Sequence, residues 1–234
     1  MGLRHYIAGM NSPSTPDPVL GKYLAACGVA SRRASVEIIK AGHVTIDGIV
    51  CNEPGRRVSP NQVVAVDGRE LQQEKTVWII LHKPAGYTCS SSDRHAEHLA
   101  VELVQNLSDE RVFSVGRLDR DSEGLILFTN EGELANRLLH PSCEVRKVYE
   151  VKATGRVSPS RLPELLRGIV HDGEQLRAVA VEQLPAERGY TALRITVAEG
   201  KKREVRRMCS HLGLRVVRLV RTHFGPLVLD GLEL

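Results

Sequence analysis

The apolar residues of this chain are dealt out in strand-length pieces. Val77 to Leu81, Val112 to Val115, Leu125 to Thr129, Val148 to Ala153, Ala192 to Val197 and Val216 to Val220 are four to six residues long. None approaches the roughly 18 to 20 residues that a bilayer-crossing helix needs. Between them, helical patterns near 99–107, 131–139, 160–167 and 202–212 recur without a fixed period. The order predicts an α+β fold and excludes a solenoid. Residues 76–234 are enough to bury a real core and still leave a cleft.

The first third is organised differently. Val19, Leu20, Tyr23, Leu24 and Cys27 recur at three- and four-residue steps, which predicts a short amphipathic helix ended by Gly28. Ser31 is placed to cap a second helix with Ala34, Ile38 and Ile39 inward, Arg32, Arg33 and Lys40 outward, and Gly42 as its stop. His43 to Ile46 and Ile49 to Cys51 flank Asp47-Gly48, a pair that supplies the positive φ angles of a tight hairpin turn. A further strand, Gln62 to Val66, ends at a second such pair, Asp67-Gly68. Residues 19–68 therefore read as one small module, 69–75 as a polar linker, and 76–234 as a larger domain. Residues 1–18 place Pro13, Pro16 and Pro18 among small polar residues, with neither the apolar centre of a signal peptide nor a myristoylation signal. They are expected to be a mobile leader on a cytoplasmic protein.

Several chemistries are set aside at this point. Cys27, Cys51, Cys89, Cys143 and Cys209 are unevenly spaced with no C-x-x-C, so reduced and mostly buried thiols are expected. His95 and His98 form an H-x-x-H pair without a third ligand at metal spacing, and no metal is assigned. Glycine patterns for nucleotide phosphates and the G-x-S-x-G nucleophile elbow are absent, which implies no nucleotide cofactor and lowers the case for a serine hydrolase.

Charge is concentrated. Residues 201–221 carry eight cations (Lys201, Lys202, Arg203, Arg206, Arg207, Arg215, Arg218 and Arg221) against the single anion Glu204, in a chain whose net charge is only +4. A basic run on an otherwise balanced protein suits a polyphosphate partner, because each neutralised phosphate releases condensed counterions. A solvated helix face accounts for the charge equally well when charge is all that is considered.

Longer motifs separate these readings. Ala30-Ser-Arg-Arg-Ala34 and Gly42-His-Val-Thr-Ile-Asp-Gly48 resemble the RNA-binding domain of the ribosomal protein S-four type. Val115-Gly-Arg-Leu-Asp-Arg-Asp-Ser-Glu-Gly-Leu-Ile-Leu-Phe-Thr-Asn130 resembles the signature of the RsuA/RluB group of pseudouridine synthases, whose Gly-Arg-Leu-Asp aspartate is the nucleophile. Asn130 to Pro141, Lys147-Val-Tyr149, His82-Lys-Pro-Ala-Gly86, Glu199 to Met208 and Leu219-Val-Arg221 resemble further motifs of that group, in its order. Ser122 stands where the group commonly has Thr, and Leu234 is reached without the Gly- and Arg-containing tail associated with it.

The resemblance implies a small two-helix-plus-strands RNA-binding domain joined to a larger synthase domain with a mixed, mainly antiparallel sheet and a central cleft. It implies no cofactor, no membrane, a monomer, and ribosomal RNA or a ribosome-assembly intermediate as partner. It assigns Asp119 as the nucleophile and Arg206 as the cation beside it. It has Tyr149 stack on the extruded uracil, Leu219 pack against the base, and Arg117 contact a phosphate or the flipped nucleotide. Such a carboxylate attacks sugar or base covalently, and in a closed pocket it stays ionised only with a cation within about 4 to 6 Å. A uridine in folded RNA must be unstacked first, and Arg32, Arg33 and Lys40, with Lys201, Lys202, Arg203 and Arg207, would offset that cost by phosphate contacts. Phe113-Ser-Val-Gly-Arg-Leu-Asp119 and Glu133-Leu-Ala-Asn136 lean towards the large-subunit branch. A small-subunit enzyme and a noncatalytic assembly factor built on the first module are the alternatives.

Overall fold

The structure, a computed structural model, describes residues 5–8, 17–90 and 96–230, which form two compact units.

In the smaller unit, α1 (Leu20–Ala26) and α2 (Arg32–Lys40) precede two antiparallel hairpins. The hairpins are β2 (Val44–Ile46) with β3 (Ile49–Val50), and β4 (Val64–Val66) with β5 (Arg69–Glu70), joined in the order β3-β2-β4-β5. Both Asp-Gly turns form as expected, with φ of 53° and 80° at Asp47 and Gly48 and 49° and 80° at Asp67 and Gly68. Leu20, Leu24, Ile39, Val44, Ile46, Val58 and Val64 close the core. Arg69 and Glu70, expected to begin a linker, are instead the last strand, because the second Asp-Gly turn folds them back onto β4. Asp17 fixes the entry to the module: its carboxylate accepts from Ser59 Oγ at 2.9 Å and its carbonyl from Arg57 Nη1 at 2.6 Å.

Arg32, Arg33 and Lys40 lie on the exposed side of α2. Ala34 does too, and Ser35 takes the inward place expected of it, one turn before Ile39 on the same stripe. The backbone N–H of Ala34 donates to Ser31 Oγ at 3.3 Å, so Ser31 caps the helix. Ser31→Ala is expected to cost the module about 1 kcal/mol, read by urea denaturation of the full chain.

The larger unit is built on a nine-stranded sheet. Its strands are β1 (His5–Ala8), β6 (Val77–Lys83), β7 (Phe113–Val115), β8 (Glu123–Thr129), β9 (Lys147–Thr154), β12 (Ala180–Leu184), β13 (Tyr190–Val197), β14 (Arg215–Phe224) and β15 (Leu227–Val228). The main order is β1-β6-β8-β14-β9-β13-β12, with β7 on β8 and β15 on β14. Helices α3 (Gly132–Leu139), α4 (Pro163–Arg167) and α5 (Glu204–His211) and a separate hairpin of β10 (Ile169–His171) and β11 (Glu174–Leu176) complete it. The stretch near 99–107, expected to be helical, forms two short 3₁₀ turns. β1 lies inside the expected mobile leader, at the sheet edge beside β6; the leader's residues 1–4 and 9–16 lie outside the described residues. Among the described residues, no helix is long and apolar enough to cross a membrane.

Two features of the sheet shape a cleft on one of its faces. The pairs β7–β8, β14–β15, β14–β9, β9–β13 and β13–β12 are antiparallel, whereas β8 and β14 run parallel through Val220 opposite Glu123 and Arg221 opposite Gly124. Along β9 the alternate residues Lys147, Tyr149, Val151 and Ala153 share one face, and β14 sets Leu219 opposite Val151 and Arg221 opposite Tyr149. Val151, Ala153 and Leu219 pack with Val205, Met208 and Cys209 of α5 in the core. The other end of that face, with Lys147 and Tyr149, opens into the cleft.

Candidate active site

The cleft has a volume of about 1010 Å³, and all of its lining residues belong to the larger unit. One wall is the loop from Gly116 to Ser122, the opposite one is the segment 197–205, and β9 and β14 form the floor.

The loop is held from behind. Lys83, fully buried, donates from Nζ to the carbonyls of Pro84 at 2.8 Å and Tyr87 at 3.0 Å, closing the turn of the Lys-Pro-Ala-Gly motif. Burial pushes the Lys83 ammonium below the ordinary lysine range, while Cys89, Glu123, Asp121 and Asp119 oppose that shift. The Gly86 N–H donates to Arg120 O at 2.7 Å, and the Leu118 N–H donates to Cys89 Sγ at 3.4 Å. With Leu118 buried and the Ser122 N–H donating to Asp119 O at 3.0 Å, the Asp119 side chain is left facing the cleft.

Helix α5 brings the cation. Val205, Met208 and Cys209 bury one stripe of it, which leaves Arg206 in the first turn, aimed at the loop. Arg206 Nη2 lies 3.0 Å from Asp121 Oδ2 and donates to Asp121 O at 3.0 Å and Ser122 Oγ at 3.4 Å. Its Nε stands 3.9 Å from Asp119 Oδ2, an ionic contact longer than a hydrogen bond, and finds no acceptor although buried. The expected acid and guanidinium thus meet. Asp121, to which the sequence alone gives no role, holds the guanidinium more tightly than Asp119 does.

The remaining expected residues divide. Tyr149, half-buried, and Leu219, buried, lie on the floor, and Arg117, Lys202 and Arg203 are exposed at the rim, with Arg203 Nη2 3.5 Å from Asp121 Oδ2. Lys201 Nζ donates to Gln175 O at 2.7 Å and pairs with Glu199 at 2.6 Å. Arg207 is a correction. Its side chain pairs with Glu174 at 2.6 Å and donates to His171 O at 2.7 Å, so it clamps the β10–β11 hairpin to α5 instead of facing outward to phosphates. The hairpin lies some thirty residues upstream, and the helical pattern of 202–212 carries no sign of which face it covers.

Lys147, Glu204, Arg221 and Phe224 also line the cleft and were not singled out from sequence. Burial raises the Glu204 carboxyl above its ordinary value, against the Lys201 N–H that donates to it at 3.2 Å. His98 stacks against Tyr87 with ring centroids 5.3 Å apart, while His95 lies outside the described residues. Among the described residues no group of three His, Cys, Asp or Glu is placed to hold a metal. Cys89 and Cys209 are buried as expected, Cys27 and Cys51 partly so, and Cys143 is exposed.

Comparison with known proteins places this geometry. The family model for RNA pseudouridylate synthase matches residues 77–211, which contain the whole loop and α5, and the S4 domain model matches residues 20–64. The ribosomal large subunit pseudouridine synthase B of Bacillus subtilis is 36% identical over 216 residues, covering 92% of this chain and 88% of that protein. The protein of the same name from Pseudomonas aeruginosa is 35% identical over 94% of this chain and 60% of its own length. A crystal structure of a pseudouridylate synthase superposes with a TM-score of 0.60 at 27% identity, covering 91% of this chain and 90% of that one. A cleft with a loop aspartate facing a helical arginine, the match of a family model across more than half the chain, and relatives of this closeness lead to one conclusion: the chain belongs to the RNA pseudouridylate synthase family and carries an S4 domain ahead of its synthase domain.

Proposed function

We propose that the protein converts a specific uridine of large-subunit ribosomal RNA to pseudouridine, with Asp119 as nucleophile and the target base flipped into the cleft. The observation that carries the reading is the approach of the buried Arg206 Nε to within 3.9 Å of Oδ2 of Asp119, a residue that lines a cavity of about 1010 Å³. Arg206, its side chain only 12% exposed and already bound to Asp121, is a fixed positive charge facing the Asp119 carboxylate, in place without a reorganisation cost. Tyr149 stacks on the uracil and Leu219 packs against it. Arg117, Lys202 and Arg203 at the rim, with Lys201 behind them, attract phosphates, and the S4 domain contributes Arg32, Arg33 and Lys40. Shape and backbone contacts are the usual means of holding structured RNA. The enzyme works as a monomer in the cytoplasm, on ribosomal RNA or an assembling subunit, and uses no cofactor.

The large-subunit target rests on the names of the Bacillus and Pseudomonas relatives. Chemical mapping of pseudouridine in both ribosomal RNAs, from cells with and without the gene, tests it: a lost site in the large-subunit RNA is expected, and a lost site only in the small-subunit RNA overturns the target. Arg206→Met is expected to lower single-turnover rate by roughly 10²-fold while the RNA Kd changes little, because the substitution removes a preorganised charge at the reacting group.

A further inference from the structure

Two cations lie buried at the cleft floor without a carboxylate in contact among the described residues. Arg221 is 2% exposed and Lys147 is 7% exposed. Arg221 donates from Nε to Leu125 O at 2.7 Å, and its Nη2 is buried without an acceptor. Lys147 donates from Nζ to Ala198 O at 3.3 Å. Among the described residues no carboxylate lies within ion-pair distance of either, in contrast to Arg206, Arg207 and Arg218, each of which has one. Glu204, whose pKa burial raises, and Glu199 act on Lys147 only as longer-range charges.

Their placement follows from strand register. Arg221 is opposite Tyr149, and a register shift between Arg221 and His223 reverses the alternation of β14, so that Phe224 sits opposite Lys147. The Phe224 ring then has the Arg221 guanidinium 5.3 Å and the Lys147 ammonium 5.9 Å from its centroid. The floor beside Tyr149 and Leu219 is therefore apolar and aromatic with two embedded positive charges. Desolvating unpaired cations is costly, and a protein keeps them where a ligand brings the missing negative charge. A phosphate fits the exposed cations of the rim better than this depth.

The isomerisation itself supplies an anion there. When the C1′–N1 bond breaks, its electron pair goes to the base and spreads over N1, O2 and O4. Ribose C1′ carries the complementary deficiency, which the Asp119 carboxylate answers. After the base turns, the pair forms the C5–C1′ bond, and the proton leaving C5 is matched by one gained at N1. With the carboxylate at C1′, the detached base is negative for as long as it turns. We propose that Arg221 and Lys147 form a base-anion subsite: their N–H groups meet the carbonyl oxygens of the detached uracil, stabilise its charge and retain it while it turns. The inference rests on the reading that the base enters this cleft. Burial first, and Arg221 second, depress the Lys147 pKa against the pull of Glu204 and Glu199, and an arriving anion acts in the same direction as those two carboxylates.

The test uses the full chain with Lys147→Met or Arg221→Lys beside the wild type, on large-subunit rRNA transcribed with uridine or with 5-fluorouridine. Cleavage of the C1′–N1 bond is followed by chromatography of the digested nucleosides. Each variant is expected to be slower on uridine RNA by roughly 10²-fold with an RNA Kd within about twofold of wild type, since removal of a donor to a developing anion has this magnitude. Lys147→Met is expected to melt no lower than wild type, because methionine replaces an unpaired buried charge. Fluorine at C5 makes the base a more stable anion, so the deficit is expected to shrink by roughly tenfold on 5-fluorouridine RNA. Unchanged turnover, a deficit equal on both RNAs, or a loss that tracks the RNA Kd would overturn the subsite; the last would put phosphate on these cations. If Arg221→Lys does not fold, Lys147→Met decides alone. Wild-type chain that forms no pseudouridine on either ribosomal RNA would instead bring down the reading of the cleft, and the subsite with it.

Discussion

Asp119→Asn is expected to abolish pseudouridine formation while leaving RNA binding within about threefold of wild type. Asparagine preserves the shape of the side chain and, with the Leu118 and Ser122 backbone bonds untouched, the shape of the loop. What it removes is the proposed nucleophile and the negative charge facing Arg206. Loss of a nucleophile lowers turnover by roughly 10⁴- to 10⁶-fold, far beyond any positioning effect. Single-turnover assay on transcribed rRNA, with a filter-binding Kd measured in parallel, checks it. Retained turnover would remove the nucleophile assignment. A loss of turnover matched by a loss of binding would make Asp119 part of the RNA grip instead.

Gly124→Ala is expected to be the most damaging substitution in the framework, at about 4 kcal/mol or more, the range reached when a residue is forced into occupied space. A Cβ at this position would lie 2.3 Å from the carbonyl oxygen of Arg221 and 2.5 Å from its amide nitrogen, and both are backbone atoms of the paired strand that no rotamer change moves aside. The φ of +112° adds strain for any residue with a side chain. The parallel pairing of β8 and β14 has to open, which separates Glu123 from Arg218 and carries Arg221 out of the cleft floor. Gly48→Ala is the control: its φ is also positive, but open space surrounds it, so only about 1 kcal/mol is expected. Urea midpoints of the two variants separate contact from conformation.

How much of the molecule was legible in the sequence depended on the range of the interactions. The hairpins of the S4 domain and the cap at Ser31 are local, fixed by Asp-Gly and Ser at short spacing, and both form as expected. Ala34 and Ser35 were exchanged because a short helix leaves its apolar stripe ambiguous by one residue until Ile39 is packed. β12 was not seen, since its outer-edge position exposes Glu182 and leaves little alternation to read. Asp119 and Arg206 were identified through motif resemblance; that they meet is a fact of tertiary structure, and so is the competing hold of Asp121. Arg221 stood inside a quoted motif but was not distinguished as a site residue, because only the register of β14 shows that this one arginine of the basic run is buried without an acid. Arg207 was misread for the complementary reason: its acid, Glu174, is supplied by a hairpin whose docking the local pattern cannot announce.

The parallel step between β8 and β14 has a consequence for the order in which the enzyme comes into being. Glu123 and Gly124 meet Val220 and Arg221, partners almost a hundred residues apart along the chain. Closing so long a span is entropically expensive and comes late, after the neighbouring antiparallel ribbons have gathered the intervening chain. A polypeptide emerging from the ribosome therefore carries Asp119 long before it has β14, the strand that completes the floor of the cleft.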